Sequence, residues 1–227
     1  MKVLVACEES QRVCIEFRKL GHEAYSCDIE PCSGGHPEWH IQQDVIPLLN
    51  GNCEFNTVDG LTHSIDGKWD LIIAHPPCTY LSTAGNQMFS PKIRTPCQIA
   101  ERIKLRQDAF DFFMKFVNAP CERICIENPQ GYVNTHYRKP DQVIHPYFFA
   151  KDENDKDNYV MKRTCLWLKG LKKLEIPKPL LSKPSPVKYC KGKSLTWIEG
   201  KSPKNGKERS KTFPGIAKAI ASQWCVI

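Results

Sequence analysis

Cys78 and Glu127 stand out in this 227-residue chain because each follows a short apolar run and could face a common cleft. Leu71 to Ala74 reads as a strand buried on both faces of a parallel sheet. His75-Pro76-Pro77 breaks that run, because proline donates nothing to a sheet ladder and fixes its own backbone angle. Cys78 follows at the carboxyl end, where open α/β sheets hold their ligands. A thiol on a rigid turn can act as a nucleophile toward a flat substrate. The competing reading is a packing cysteine, since cysteine is among the most buried residue types. Arg123 to Ile126 predicts a second strand, ending in Glu127-Asn128-Pro129-Gln130-Gly131. A carboxylate there would face Cys78 across the cleft, or would simply cap a turn.

More carboxylates lie upstream. Lys2 to Ala6 is an apolar strand that runs into Cys7-Glu8-Glu9-Ser10-Gln11. An amphipathic helix follows, with Val13, Ile15, Phe17 and Leu20 among its apolar positions, and Gly21 stops it. Glu23 to Ile29 is the next strand, with Asp28 at its tip, 20 positions beyond Glu8. In nucleotide-binding α/β folds a carboxylate at that position accepts hydrogen bonds from ribose hydroxyls. The glycine-rich turn of a dinucleotide site is absent, and Glu8-Glu9 in its place would repel a pyrophosphate. A positively charged nucleoside such as S-adenosyl-L-methionine suits these charges. Asp44, near the end of a third short strand around His40 to Val45, either meets an adenine amino group or caps the turn at Ile46-Pro47-Leu48-Leu49.

Further elements must position these groups. Gly51 to Lys68 predicts a polar loop with a short strand near Phe55–Val58. Residues 83–96 have the composition of a mobile lid, with Lys92 and Arg94 supplying positive charge. From Gln98 to Asn118, Ile99, Ile103, Phe110, Phe113, Met114 and Val117 recur at helical spacing and predict a core-facing helix. Tyr147-Phe148-Phe149 and Arg163 to Leu168 predict two more strands, joined by an acidic turn at Asp152 to Asp157. Leu171 to Arg209 is rich in Pro and Lys and holds Tyr189 and Trp197, a mixture that suits stacking on single-stranded or flipped bases, or a solvated linker. Thr212 to Trp224 predicts a final helix with Ile216, Ala217, Ile220 and Trp224 on one face. The fold class is α/β, with a mostly parallel sheet and helices on both faces.

Composition bounds the rest. The formal net charge is +7, but residues 1–149 hold 14 Lys and Arg against 18 Asp and Glu, while residues 150–227 hold 18 against 7. A basic third on a mildly acidic body suggests one face for a polyanion; a solvated lysine-rich surface gives the same counts. The 12 cysteines form no Cys-x-x-Cys pair. Cys27, Cys32, His36 and His40 match no standard zinc spacing, so no metal is expected and reduced thiols are. No segment has the length and apolarity of a membrane span, and the start lacks the parts of a signal peptide. A cytoplasmic protein with no membrane partner is expected. Nothing in the sequence indicates an oligomeric state.

Pro76-Pro77-Cys78 with Ser82, and Glu127-Asn128, resemble the paired catalytic motifs of the cytosine-5 DNA methyltransferase family, in its small phage- and prophage-type form. The resemblance covers nearly the whole chain. It implies a Rossmann-like S-adenosylmethionine-dependent fold, with a catalytic body at 1–168, a short basic segment at 169–209 and a returning helix at 210–227. It implies that Cys78 attacks cytosine carbon-6, that Glu127 takes up charge at the adjoining ring nitrogen, and that Arg163 holds the base carbonyl. The cofactor pocket would be lined by Ala6, Cys7, Glu8, Glu9, Ser10, Asp28, Ile29, Asp44, Val45, His75 and Pro76. Ser82, Asn128, Lys92 and Arg94 would contact a cytosine flipped from duplex DNA.

The chain departs from the family in three places. Ala6-Cys7-Glu8-Glu9-Ser10 replaces the family's Phe-x-Gly-x-Gly, and Met161-Lys162-Arg163-Thr164-Cys165 keeps one arginine of Gln-x-Arg-x-Arg. The stretch of about 40 residues after Leu168 is too short for a separate target-reading domain. Short or relaxed sequence specificity is expected. RNA as the polymer, and a catalytically lapsed nucleic-acid-binding protein on the same fold, are the alternatives.

Overall fold

The computed structural model describes residues 1–184 and 210–225. Tyr189, Trp197 and most of the basic stretch expected to meet nucleic acid lie outside the described residues.

A seven-stranded sheet forms the centre. In chain order it is built from β1 (Lys2–Ala6), β2 (Glu23–Asp28), β3 (His40–Gln42), β6 (Leu71–Ala74), β7 (Ile124–Asn128), β8 (Gln142–Ile144) and β9 (Thr164–Lys169). A separate antiparallel hairpin pairs β4 (Cys53–Asn56) with β5 (Thr62–Ile65). The spatial order is β3-β2-β1-β6-β7-β9-β8. The strands from β3 to β7 run parallel, whereas β9 is antiparallel to both β7 and β8. From β1 the chain builds outward through β2 and β3, then returns to lay β6 on the other side of β1. That reversal is the topological switch point at which open α/β sheets form a crevice.

Strand residues alternate between two apolar layers, as the two-residue period of a strand requires. Val3, Val5, Leu71, Ile73 and Cys125 pack with α1 (Arg12–Lys19) and the final helix, here α4 (Pro214–Trp224). Leu4, Ala6, Ile72, Ala74, Ile124 and Ile126 pack with α2 (Pro96–Val117) and with Phe55 and Ile65 of the hairpin. A further short helix, α3 (Val133–His136), follows β7. Gly21, with φ of 79°, ends α1 in the left-handed conformation that its lack of a Cβ permits. Thr95 and Gln98 open α2 with a reciprocal capping box, and Pro96 sits in its first turn. In α4 the four expected residues are all buried, and Arg12 of α1 donates to the Thr212 carbonyl at 2.7 Å, tying the chain's last helix to its first. No helix among the described residues is long and apolar enough to cross a membrane.

Four expectations need correction. Gly51 to Lys68 holds a complete hairpin rather than a loop with one strand, because Asp59-Gly60 makes the turn and Phe55 and Ile65 carry the buried face. Tyr147-Phe148-Phe149 lies in a 3₁₀ turn at Pro146–Phe149, and the strand falls instead at Gln142–Ile144. Ile103 of α2 is 57% exposed rather than core-facing, since the buried residues of that helix, Phe113 and Phe116, fall in its second half. Residues 83–96 begin with a 3₁₀ segment, Thr83–Phe89, that is anchored to α2 rather than left loose.

Candidate active site at the carboxyl edge of the sheet

The two motifs meet because β6 and β7 are adjacent and in register, with Ala74 beside Ile126. One step further along, His75 and Glu127 lie side by side, with Nδ1 of the imidazole 3.4 Å from Oε2 of the carboxylate. Their side chains are enclosed, 7% and 18% exposed. Burial pushes the Glu127 carboxyl up, but the His75 hydrogen bond and the charges of Lys162 and His75 outweigh it, leaving the group below the usual glutamate range. Glu127 is therefore a carboxylate at neutral pH. Nε2 of His75 is buried and meets no hydrogen-bond partner among the described residues. Such an atom is uncommon in a folded protein and marks a place where a ligand or water is expected.

Asn128 works on the other face of β7. It is 1% exposed, and its Nδ2 donates to the Pro76 carbonyl at 2.7 Å. Past Pro77 the chain turns sharply, and the Cys78 carbonyl accepts from the amides of Leu81 and Ser82 at 3.0 and 2.9 Å. The Cys78 side of this turn is solvent-exposed, so the packing reading of that cysteine does not hold. The turn is stitched to the segment beyond β7: Ser82 bridges Gly131, Tyr132 donates to the Leu81 carbonyl at 2.7 Å, and Thr83 donates to the Gln130 carbonyl at 3.1 Å.

From above, α2 holds the same turn. Arg106 donates to the Tyr80 carbonyl at 2.9 Å and to Asn86 at 2.7 Å, with its guanidinium 3.6 Å from the Phe89 ring. One helical turn earlier, Arg102 lies 4.9 Å from the Tyr80 ring. Arg163, just before β9, donates to the Gln130 side chain and so reaches the same edge. Ser82 is half-buried on the turn. Lys92 and Arg94 make no hydrogen bond or ring contact to the Cys78 turn among the described residues.

The second half of the edge lies over β1, β2 and β3. Ala6 is buried in β1, and Cys7 leaves the strand with φ of 58°. Glu8 turns inward: its carboxylate accepts from the backbone amides of Val13 at 2.7 Å and Cys14 at 3.2 Å, at the start of α1. Its oxygens answer amides that a helix start otherwise leaves unpaired. Burial pushes the Glu8 carboxyl up to about 7 despite those amides and the charges of His75 and Arg12. Glu9 and Ser10 are buried beneath the loop after β2, where Ser33 donates to the Glu9 carbonyl at 2.8 Å. Gln11 clasps the His36 backbone from both sides, accepting from its amide at 3.1 Å and donating to its carbonyl at 2.8 Å.

Asp28 ends β2 and accepts from the Glu30 amide at 3.0 Å, and its carboxyl is pushed up chiefly by burial. Burial, with the charges of Asp28, Cys27 and Asp44, pushes the Cys7 thiol well up. Beside them Ile29 is 73% exposed, an apolar surface at the mouth of the crevice. Asp44 is exposed and caps the turn at Ile46, while Val45 is buried in the core. The edge thus has an acidic, apolar-rimmed half over β1 and β2 and a thiol-carboxylate half over β6 and β7. His40 bonds Ser26 and the Glu30 carbonyl with its two ring nitrogens, and no group of three metal-ligating residues occurs among the described residues.

Lys162, Arg102 and Arg106 were not among the expected site residues, and His75 was expected only as a cofactor contact. The sequence signal for His75 was its place at the end of a buried strand, one residue ahead of a proline pair. The two α2 arginines carried no comparable signal. No family model matches the chain, and a search of curated proteins finds no significant match.

Proposed function

We propose that the protein transfers a methyl group from S-adenosyl-L-methionine to carbon-5 of cytosine in DNA, on a Rossmann-like methyltransferase fold. The observation that carries this reading is the exposed Cys78 turn, sewn to the end of the neighbouring strand where Glu127 stands ionised. Leaving out the hairpin, the parallel strands follow the third-second-first-fourth-fifth order of doubly wound nucleotide-binding sheets. The acidic half of the edge fits the cofactor. Asp28 is at the strand tip where ribose hydroxyls are held, Ile29 offers its side chain to an adenine face, and Asp44 stands close by. Glu8 is engaged by the amides of α1, and the remaining carboxylates still leave an acidic surround that favours a cation.

When bound, S-adenosylmethionine supplies an electrophilic methyl group on a sulfonium. The chain's residues do the rest. Cytosine carbon-5 is a weak nucleophile until the Cys78 thiolate adds to carbon-6; the carbon-5–carbon-6 electron pair then moves into the ring and a proton goes to the ring nitrogen. Glu127 relays a proton to the ring nitrogen in this step and takes it back on elimination, and Arg163, which reaches the strand end through Gln130, is the cation for the carbonyl oxygen. Loss of the carbon-5 proton to water then restores the double bond and expels the thiolate. Arg102 and Arg106, by fixing Tyr80 and Asn86, keep the thiol turn in one position, as a near-attack geometry demands. A duplex target must first lose its stacking, which costs a few kcal/mol.

The test is transfer of tritiated methyl groups to cytosine-containing DNA and RNA by the purified chain and by Cys78→Ala. Label in cytosine of DNA, abolished in the variant, is the expected result. Label confined to RNA would move the substrate, and S-adenosylmethionine-independent DNA retention without transfer would favour a lapsed binding protein.

A further inference from the structure

We infer that His75 is the proton reservoir for Glu127: the imidazole Nδ1–H delivers its proton through the Glu127 carboxylate to the substrate's ring nitrogen, and recovers it when the thiolate leaves. This rests on the proposed function and adds to it a positioning residue that the Pro-Cys and Glu-Asn motifs do not contain. The starting observation is geometric. His75 and Glu127 are the first residues past the register pair Ala74 and Ile126, which directs both side chains to the same face of the sheet, 3.4 Å apart and largely closed to water. Catalytic hydrogen bonds often tighten as the Michaelis complex forms.

The chemistry asks for such a partner. Addition of the Cys78 thiolate places an electron pair on the ring nitrogen, which needs a proton at that moment. A carboxylate held in its charged form by His75 and Lys162 has none of its own to give. A doubly protonated imidazole at that place would: one proton passes from Nδ1 to Oε2 and one from the carboxyl to the ring nitrogen, leaving neutral imidazole and ionised Glu127. On elimination the same proton returns along the same path. The surroundings suit a charged intermediate state of the pair. Glu127 on β7 and Glu8 beyond β1 both interact electrostatically with the imidazole, and Lys162, before β9, acts on Glu127 from the far side. Nε2 is buried and without a partner among the described residues, and a water or ligand atom bonded there would fix which ring nitrogen carries the proton.

The test measures single-turnover release of tritium from DNA labelled at cytosine carbon-5, with S-adenosylmethionine present, for the native protein, His75→Asn, Glu127→Gln and the double variant. Asparagine can still donate a hydrogen bond to Glu127 but has no proton to transfer, so it separates proton delivery from orientation. The expected result for His75→Asn is a rate lower by about 100-fold, within the usual range for a lost acid-base group. The DNA concentration for half-maximal rate and the melting temperature should be unchanged. The double variant should be no slower than Glu127→Gln alone, because one residue acts through the other. A His75→Asn rate within about threefold of native, or a double variant slowed by the product of the two single effects, overturns the inference while leaving the proposed function intact. No tritium release by the native protein withdraws the proposed function, and the inference with it.

Discussion

Gly131 is where the two halves of the thiol-carboxylate site touch, so adding one methyl group there tests whether that contact positions Cys78. A Cβ on Gly131 would lie 1.9 Å from the Leu81 carbonyl oxygen, 2.8 Å from its carbon and 2.9 Å from the Ser82 Cα. Gly131 does not have positive φ, so the cost of alanine comes from space alone. All three neighbours are backbone, and none can rotate away. Restoring ordinary contact at 3.4 Å means parting the segments by about 1.5 Å, a displacement beyond what catalytic geometry tolerates. If the fold resists, overpacking costs about 1–3 kcal/mol and the two hydrogen bonds across the seam about 1 kcal/mol each, roughly 3–5 kcal/mol together. At about 2–4 °C per kcal/mol for a chain of this size, the melting temperature of Gly131→Ala should fall by about 10 °C. If the Cys78 turn yields instead, stability is kept and adduct formation on DNA slows by about 100-fold. Calorimetry and the rate of covalent trapping, read on one preparation, distinguish the two. A variant that melts within about 2 °C of native and traps DNA at the native rate would refute the idea that this seam sets the position of the thiol.

Other perturbations probe the same edge. Asn128→Ala removes the donor to the Pro76 carbonyl at a site with 1% exposure, and should cost about 1–3 kcal/mol as well as slow adduct formation. Glu8 has its carboxyl raised from 4.5 to about 7 in the fold. Its contribution is thus greatest below the unfolded value and is lost as pH rises through about 7, by up to about 3 kcal/mol. Melting temperatures measured from pH 5 to pH 8 should fall more steeply for the native chain than for Glu8→Gln; equal slopes would contradict the buried-carboxyl assignment. Asp28→Ala should weaken binding of S-adenosylhomocysteine by about 10-fold or more in calorimetric titration, since a hydrogen bond to a charged group is worth about 1.5–3 kcal/mol. An unchanged affinity would move the ribose elsewhere on the edge.

The parts of the fold that could be read from the chain alone were those written in local pattern. Leu71 to Ala74 and Ile124 to Ile126 are apolar without alternation because both faces are covered, and α1 and α4 carry their buried faces at helical spacing. The placement of Cys78 and Glu127 at strand ends followed from the breaks that proline makes. What stayed hidden depended on distant partners. Nothing near residues 83–96 tells that Arg102 and Arg106 reach back to Tyr80, Asn86 and Phe89, so composition suggested a loose lid. Glu8 had the charge of a ligand-binding group, and its engagement by the amides of α1 depends on how the chain turns at Cys7 and Gln11, both left-handed. The β4–β5 hairpin was missed although Asp59-Gly60 announced its turn, because the polar residues around Phe55 and Ile65 obscured the alternation. The basic segment expected to meet nucleic acid falls at 169–209, and residues 185–209 of it lie outside the described structure.

The most direct measurement is mass spectrometry of the protein after incubation with S-adenosylmethionine and duplex DNA in which 5-fluorocytosine replaces cytosine. Fluorine at carbon-5 cannot leave as a proton does, so the thiolate should remain bonded to carbon-6, and the modified peptide should carry the nucleotide on Cys78. Cys78→Ser should give no such peptide. Native protein that methylates DNA without forming the adduct, or an adduct on any other cysteine, would contradict Cys78 as the nucleophile.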